Sequence, residues 1–146
     1  MQIEIKIDNG CSEPKVIIIT DKVDDEINGI ISRLSSKSPE VITGFYNNLA
    51  EILSPADIIR IYASGGKTFA LSTQKEYTLR QWLYELEEHL SQYRFVRISN
   101  SEIINLKKVL HFDLSFSGTI CVTLSDGTVT YVSRRYVSKI KQILGL

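Results

Sequence analysis

"IYASGGKTFALST", residues 61–73, decides between two folds. Gly66-Lys67-Thr68 has the form that closes a phosphate-binding loop, G-x-x-x-x-G-K-[ST], set between a strand and a helix. The first glycine of such a loop belongs at position 61, and Ile61 stands there. Beyond Thr68, Phe69 and Leu71 alternate with Ala70 and Ser72, which is the period of a strand and not of a helix. No helix dipole follows that could receive a phosphate. The stretch reads instead as two antiparallel strands around Gly65-Gly66, where glycine accepts positive φ. Lys67 then stands at a hairpin tip, and the fold is expected to be mainly β.

The same pattern extends in both directions. Residues 41–45 and 49–53 are strand-like about a Tyr46-Asn47-Asn48 turn, and Ser54-Pro55-Ala56-Asp57 is turn chemistry. Thr78-Leu79-Arg80-Gln81 has the S/T-x-x-E/Q form of a capping box. It predicts a helix with Leu79, Trp82, Leu83, Leu86 and Leu90 on one face and Glu85, Glu87 and Glu88 away from it. Strands follow near 95–98, 106–116, 119–124 and 129–132, with a hairpin turn at Ser125-Asp126-Gly127-Thr128. Ser133 is placed to cap a last helix with Val137, Ile140 and Leu144 inward, and Gly145 to end it.

Towards the N-terminus, Ile3, Ile5 and Ile7 alternate with Glu4, Lys6 and Asp8, and residues 16–19 form a second apolar run. Both read as strands. Val23, Ile27, Ile30, Ile31 and Leu34 recur at helical spacing behind Asp24, Asp25 and Glu26, acids that suit a helix's first turn. Ser35-Ser36-Lys37-Ser38-Pro39 reads as a linker. The expected organisation is a strand-strand-helix extension with linker over 1–38, then the main domain over 39–146.

Composition narrows the function. The 146 residues are about 43% hydrophobic and 23% charged, usual for a soluble globular protein. Apolar runs are only a few residues long and no signal peptide opens the chain, so a cytoplasmic protein is expected. Cys11 and Cys121 then read as reduced thiols. His89 and His111 lie away from metal-ligand spacing, and no G-x-S-x-G, H-E-x-x-H or C-x-x-C occurs. The Glu85, Glu87 and Glu88 cluster reads as a solvated helix face. Neither an enzyme, a cofactor, a metal nor a small-molecule substrate is expected.

The formal net charge of zero hides an asymmetry. Residues 1–93 carry 9 Lys/Arg against 14 Asp/Glu, whereas 94–146 carry 8 against 3. A basic end suits a polyanionic partner, although a solvated basic face explains it equally well. In "RFVRISNSEIINLKKV", residues 94–109, Arg97 ends a strand and Ser99, Asn100 and Ser101 make a polar break. In "TYVSRRYVSKIKQIL", residues 130–144, Arg134 and Arg135 enter a helix's first turn, where they oppose its dipole at ~0.3–1 kcal/mol each. Such residues suit DNA: arginine forks onto guanine, asparagine pairs with adenine, and serine grips phosphate. On residue types alone, turn or capping roles for Asn100 and Ser101 are the simpler reading.

Taken together, "DIIRIYASGGKTFALST", "YTLRQWLYELEEHL", "FVRISNSEIINLKKV" and "GTVTYVSRRYVSKIKQIL" resemble the LytTR DNA-binding domain of bacterial transcriptional regulators, in family order and spacing over about residues 54–145. The resemblance implies an α+β, mainly β fold of elongated antiparallel sheets with flanking helices. It also implies sequence-specific binding of double-stranded promoter DNA by homodimers on imperfect repeats, with loops entering successive major grooves. By position, the implied DNA-binding residues are Lys67 and Thr68 in the first loop, Arg97, Ser99, Asn100 and Ser101 in the second, and Ser133, Arg134, Arg135 and Lys139 at the last helix. Ser99 stands where the family commonly carries His or Arg. Forty N-terminal residues are too few for the receiver domain that many such regulators carry, so the chain resembles the compact stand-alone members, some of which are held inactive by a small membrane-embedded inhibitor. The apolar face of Val23, Ile27, Ile30, Ile31 and Leu34 is the expected dimer or inhibitor contact. The alternative is a protein-interaction module on the same scaffold that reads no DNA.

Overall fold

A computed structural model describes residues 1–35 and 41–146, which fall into two compact units, within Met1–Lys37 and within Ser38–Leu146. In the first, helix α1 (Asp25–Ser35) forms where the apolar spacing predicts it. Asp24 Oδ1 accepts the Ile27 N–H at 3.0 Å, satisfying one of the helix's unpaired donors. The two strands expected at 3–7 and 16–19 do not form. Ile3, Ile5 and Ile7 are each more than 80% exposed. Alternation specifies a strand only where a face is buried, and two short strands alone are marginal in water. The linker expected at 35–39 lies, beyond Ser35, outside the described residues.

The second unit is built from hairpins whose turns are written locally. Strands β1 (Ile42–Tyr46) and β2 (Leu49–Leu53) join through Asn47 and Asn48, at φ 48° and 62°. Strands β3 (Ile58–Ser64) and β4 (Lys67–Ser72) join through Gly65 and Gly66, at φ 58° and 76°. Two successive positive φ values match the right-handed twist of the flanking strands, which is why Asn and Gly occupy these turns. Next come β5 (Glu76–Leu79), helix α2 (Leu83–Leu90), β6 (Phe95–Ser99), β7 (Glu102–Asn105), β8 (Val109–Asp113), β9 (Ile120–Leu124), β10 (Val129–Val132) and helix α3 (Arg134–Ile143). A seven-stranded antiparallel sheet runs in the order β2-β1-β5-β4-β3-β7-β6, and a three-stranded sheet in the order β10-β9-β8.

Three local expectations give way to pairing across the sheet. Thr78 and Leu79 do not open a helix: they pair with Phe69 and Thr68 of β4 as the end of β5. α2 starts later, where Glu85 Oε2 accepts the Trp82 N–H at 3.0 Å, and Trp82 is left exposed while Leu83, Leu86 and Leu90 are buried. The long strand expected at 106–116 is shortened to β8, because its first residues form a 3-10 turn at Leu106–Lys108, capped by Asn105 Oδ1 on the Lys107 N–H at 3.0 Å. Ahead of it lies β7, in which all four residues are buried.

The large sheet has a core on each face. Ile42, Ile58, Ile61, Phe95 and Ile103 pack with Leu83, Leu86 and Leu90 of α2. Ile59, Val96, Ile98 and Ile104 pack with Ile120, Val122, Leu124 and Val132 of the small sheet and Ile140 of α3. A register shift between Ile58 and Arg60 lets Ile58 and Ile61 share a face across an odd spacing. The two sheets are also joined by polar groups: buried Glu102 accepts from Arg60 at 2.9 Å and from the Thr130 hydroxyl at 2.6 Å. On the α2 face, the Tyr77 hydroxyl and then Lys75 hold the Glu51 carboxyl below its ordinary range. Cys11 and Cys121 are free thiols. Among the described residues, no helix is long and apolar enough to cross a membrane.

Candidate nucleic-acid interface

Three chain reversals meet at one end of the large sheet, and backbone hydrogen bonds fix their order. Antiparallel pairing of β3 with β7 sets Tyr62 opposite Glu102, so the β3–β4 tip and the β6–β7 turn emerge side by side. The Ala63 N–H donates to Ser101 O at 2.8 Å and locks the two turns together. On the other side of the β6–β7 turn, the Ser133 N–H donates to Ile98 O at 2.9 Å and pins the start of α3 to β6. The Tyr136 hydroxyl, in the first turn of α3, reaches Asn100 Oδ1 at 3.3 Å. The β6–β7 turn is therefore the middle member of the row.

The side chains expected here divide by exposure. Lys67, Asn100, Ser101, Arg134, Arg135 and Lys139 are exposed. Lys67 opens β4 opposite Ser64, directly after the Gly65-Gly66 turn. Ser133 takes the N-cap position of α3 but makes no capping hydrogen bond with its hydroxyl. Its carbonyl instead accepts the Tyr136 N–H at 2.9 Å. Val137 and Ile140 seat the helix on β6, while Leu144 is 36% exposed rather than inward. At the far end, Gly145 at φ 76° gives its N–H to Gln142 O at 3.1 Å, and Leu146 gives its N–H to Lys141 O at 2.8 Å, closing α3.

Two of the expected residues serve the scaffold instead of the surface. Thr68 is buried in β4 at 6% exposure, because strand alternation turns it inward beside exposed Lys67. Arg97, expected near phosphates, has a side chain only 13% exposed. Alternation along β6 puts Val96 and Ile98 on the small-sheet face and Arg97 on the α2 face. There its guanidinium donates from Nε to Ser99 O at 2.7 Å, from one terminal nitrogen to Asn100 O at 2.6 Å, and from the other to Glu87 Oε2 at 2.9 Å. Ser99 is also engaged within the turn, its hydroxyl accepting the Ser101 N–H at 3.2 Å.

Glu87 and Tyr136 are the members that sequence reasoning missed. Glu87 belongs to the acidic helix face that reads as merely solvated, yet it is half-buried between Arg97 and Lys139, whose Nζ lies 3.7 Å away. Its contact crosses from helix to strand, so no short-range spacing marks it. Tyr136 carries one faint signal, an aromatic residue directly behind two arginines at a helix start. Among the described residues no cluster of three or more His, Cys, Asp or Glu is arranged to hold a metal ion.

Comparison with known proteins matches residues 50–145 to the family model of the LytTr DNA-binding domain. An "uncharacterized HTH-type transcriptional regulator" of Staphylococcus aureus strain NCTC 8325 is 29% identical over 147 residues, covering 100% of this chain and 99% of that protein. Its counterpart in strain MRSA252 shows the same identity and coverage. A solved LytTr DNA-binding domain from Bacillus cereus shares the fold with a TM-score of 0.69 at 22% identity, covering 73% of this chain and 97% of that one.

Proposed function

Because the chain belongs to the LytTr DNA-binding domain family, we propose that it regulates transcription by reading double-stranded DNA through the row of three turns. The carrying observation is the pair of backbone bonds, Ala63 N–H to Ser101 O and Ser133 N–H to Ile98 O, which hold three exposed polar tips in a fixed series. Lys67, Arg134 and Lys139 supply positive charge to phosphates on either side, and Ser101 adds a neutral donor. Asn100 and Arg135 are the base readers, since each presents a fork suited to a purine edge in the major groove. Arg97 is left out of the contact set because its side chain is nearly enclosed and each of its three nitrogens is hydrogen-bonded inside the chain.

The test is selection of bound duplexes from a random pool, followed by variants. Arg135→Ala and Asn100→Ala are each expected to cost ~1–3 kcal/mol of discrimination between the selected duplex and its point variants, the worth of a bidentate base contact. Unchanged site preference in both would remove the residue assignment. Retention of no duplex by the wild-type chain would favour the protein-interaction reading.

We further infer that α1 supplies the contact for a homodimer. On α1, Leu34 and Ile31 are 57% and 42% exposed while Ile27 and Ile30 are half-buried, and Val23, just ahead of the helix, is 65% exposed. So small a unit gains little from its own core. Deleting residues 1–37 is expected to bring the mass measured by light scattering from that of two full chains to that of a single shortened chain. A dimer that survives the deletion would shift this face to another occupant, such as a small membrane-embedded inhibitor.

A further inference from the structure

A carboxylate beside residues proposed to meet DNA is electrostatically out of place. Glu87 lies 2.9 Å from Arg97, which holds the β6–β7 turn, and 3.7 Å from Lys139, and its charge repels phosphate. Its position has a geometric cause. Arg97 grips two successive carbonyls of the β6–β7 turn, Ser99 O and Asn100 O, and its remaining terminal nitrogen meets Glu87. A planar guanidinium can satisfy three acceptors at fixed angles, and an ionised acceptor shortens and strengthens the arrangement. The side chain of Arg97 is nearly enclosed, so screening by water is weak there.

We propose that Glu87 and Arg97 together set the specificity of DNA recognition, as positioning residues that do not touch the bases. This rests on the DNA-reading assignment above. Arg97 holds the turn that presents Asn100, and Glu87 holds Arg97. The charge of Glu87 has a second effect: it competes with phosphate for Lys139, which lowers affinity for any duplex, matched or not. Sequence discrimination is a difference of affinities, so it is set by the positioning of Asn100 through Arg97.

The experiment uses the full chain, a duplex enriched by the wild type from a random pool, and a scrambled duplex of the same length and composition, both at 0.15 M salt. Glu87→Gln keeps the shape and removes the charge. It is expected to raise affinity for the scrambled duplex about fivefold, the effect of one added phosphate charge at that salt. The preference for the enriched duplex is expected to fall roughly tenfold, the scale of a single base contact. Arg97→Lys keeps the charge and loses the fork, so it should show the fall in preference without the gain on scrambled DNA. A purely structural role would lower thermal stability and both affinities together and leave their ratio unchanged. That outcome, or an unchanged preference in Glu87→Gln, overturns the proposal while the DNA reading stands. A wild-type chain that shows no preference between the two duplexes overturns both.

Discussion

Affinity for duplex DNA should fall about a hundredfold for each bound chain when monovalent salt rises from 50 to 200 mM. Four exposed cations, Lys67, Arg134, Arg135 and Lys139, border the row of turns. If each displaces one condensed counterion, log affinity falls against log salt with a slope of about −3.6, and a fourfold rise in salt costs roughly 150-fold. Lys139 is shared with Glu87, which brings the figure down towards roughly 40-fold if it contributes nothing. Two chains on one duplex would compound the effect to about 10⁴-fold at the upper limit. Arg134→Ala should reduce the slope by about one for each chain while leaving site preference nearly unchanged. Titration of a fluorescent duplex at five salt concentrations gives the slope directly. A slope near zero would mean that the basic end of the chain meets no phosphate.

The second large effect lies in the core and reaches the interface through α3. Ile140 is fully buried among Ile98, Val122 and Val132, and it is the fully buried residue of that helix. Ile140→Ala should cost ~2–5 kcal/mol, by lost apolar transfer and by the cavity left behind. That is a large share of the ~5–15 kcal/mol by which a domain is ordinarily stable. The expected measurement is a lower urea midpoint with an unchanged slope of the transition. A cost below 1 kcal/mol would show that α3 is not held by this side chain. Because the same helix carries Arg134, Arg135 and Lys139, loosening it should also degrade DNA preference at temperatures where the rest of the domain remains folded.

What could be read from the chain alone follows the range of the interactions. The turns at Asn47-Asn48 and Gly65-Gly66 are local, since two residues and their φ values decide them, and both hairpins were legible. The apolar stripes of α1 and α3 were legible for the same reason. Strand β5 was not, because Thr78 carries a sound capping signal that loses to pairing with Phe69, a partner that only the folded sheet supplies. Strand β7 is covered on both faces, so Glu102 to Asn105 show none of the alternation that marks a half-buried strand. The strand-like N-terminus failed in the opposite sense: the alternation is present, but Ile3, Ile5 and Ile7 stay exposed. Residue types and order, through family resemblance, pointed to three turns that the fold brings side by side. They did not separate residues that face outward from those that hold the frame. Arg97 and Thr68 look like contacts in one dimension and become supports in three, because strand parity turns each one inward.

The bonds that register the three turns belong to the main chain. Ala63 N–H, Ser101 O, Ser133 N–H and Ile98 O are present whatever side chains those positions carry, and the two donors exclude only proline. The spacing of the row is therefore independent of the identities of the tips. Lys67 and Arg135 can be exchanged for other residues without breaking these bonds, and exchange of Asn100 removes only its contact with the Tyr136 hydroxyl. Repertoire and chassis are separable in this architecture: under the proposed reading, a change of operator needs a substitution at a tip and no change in the frame that holds it.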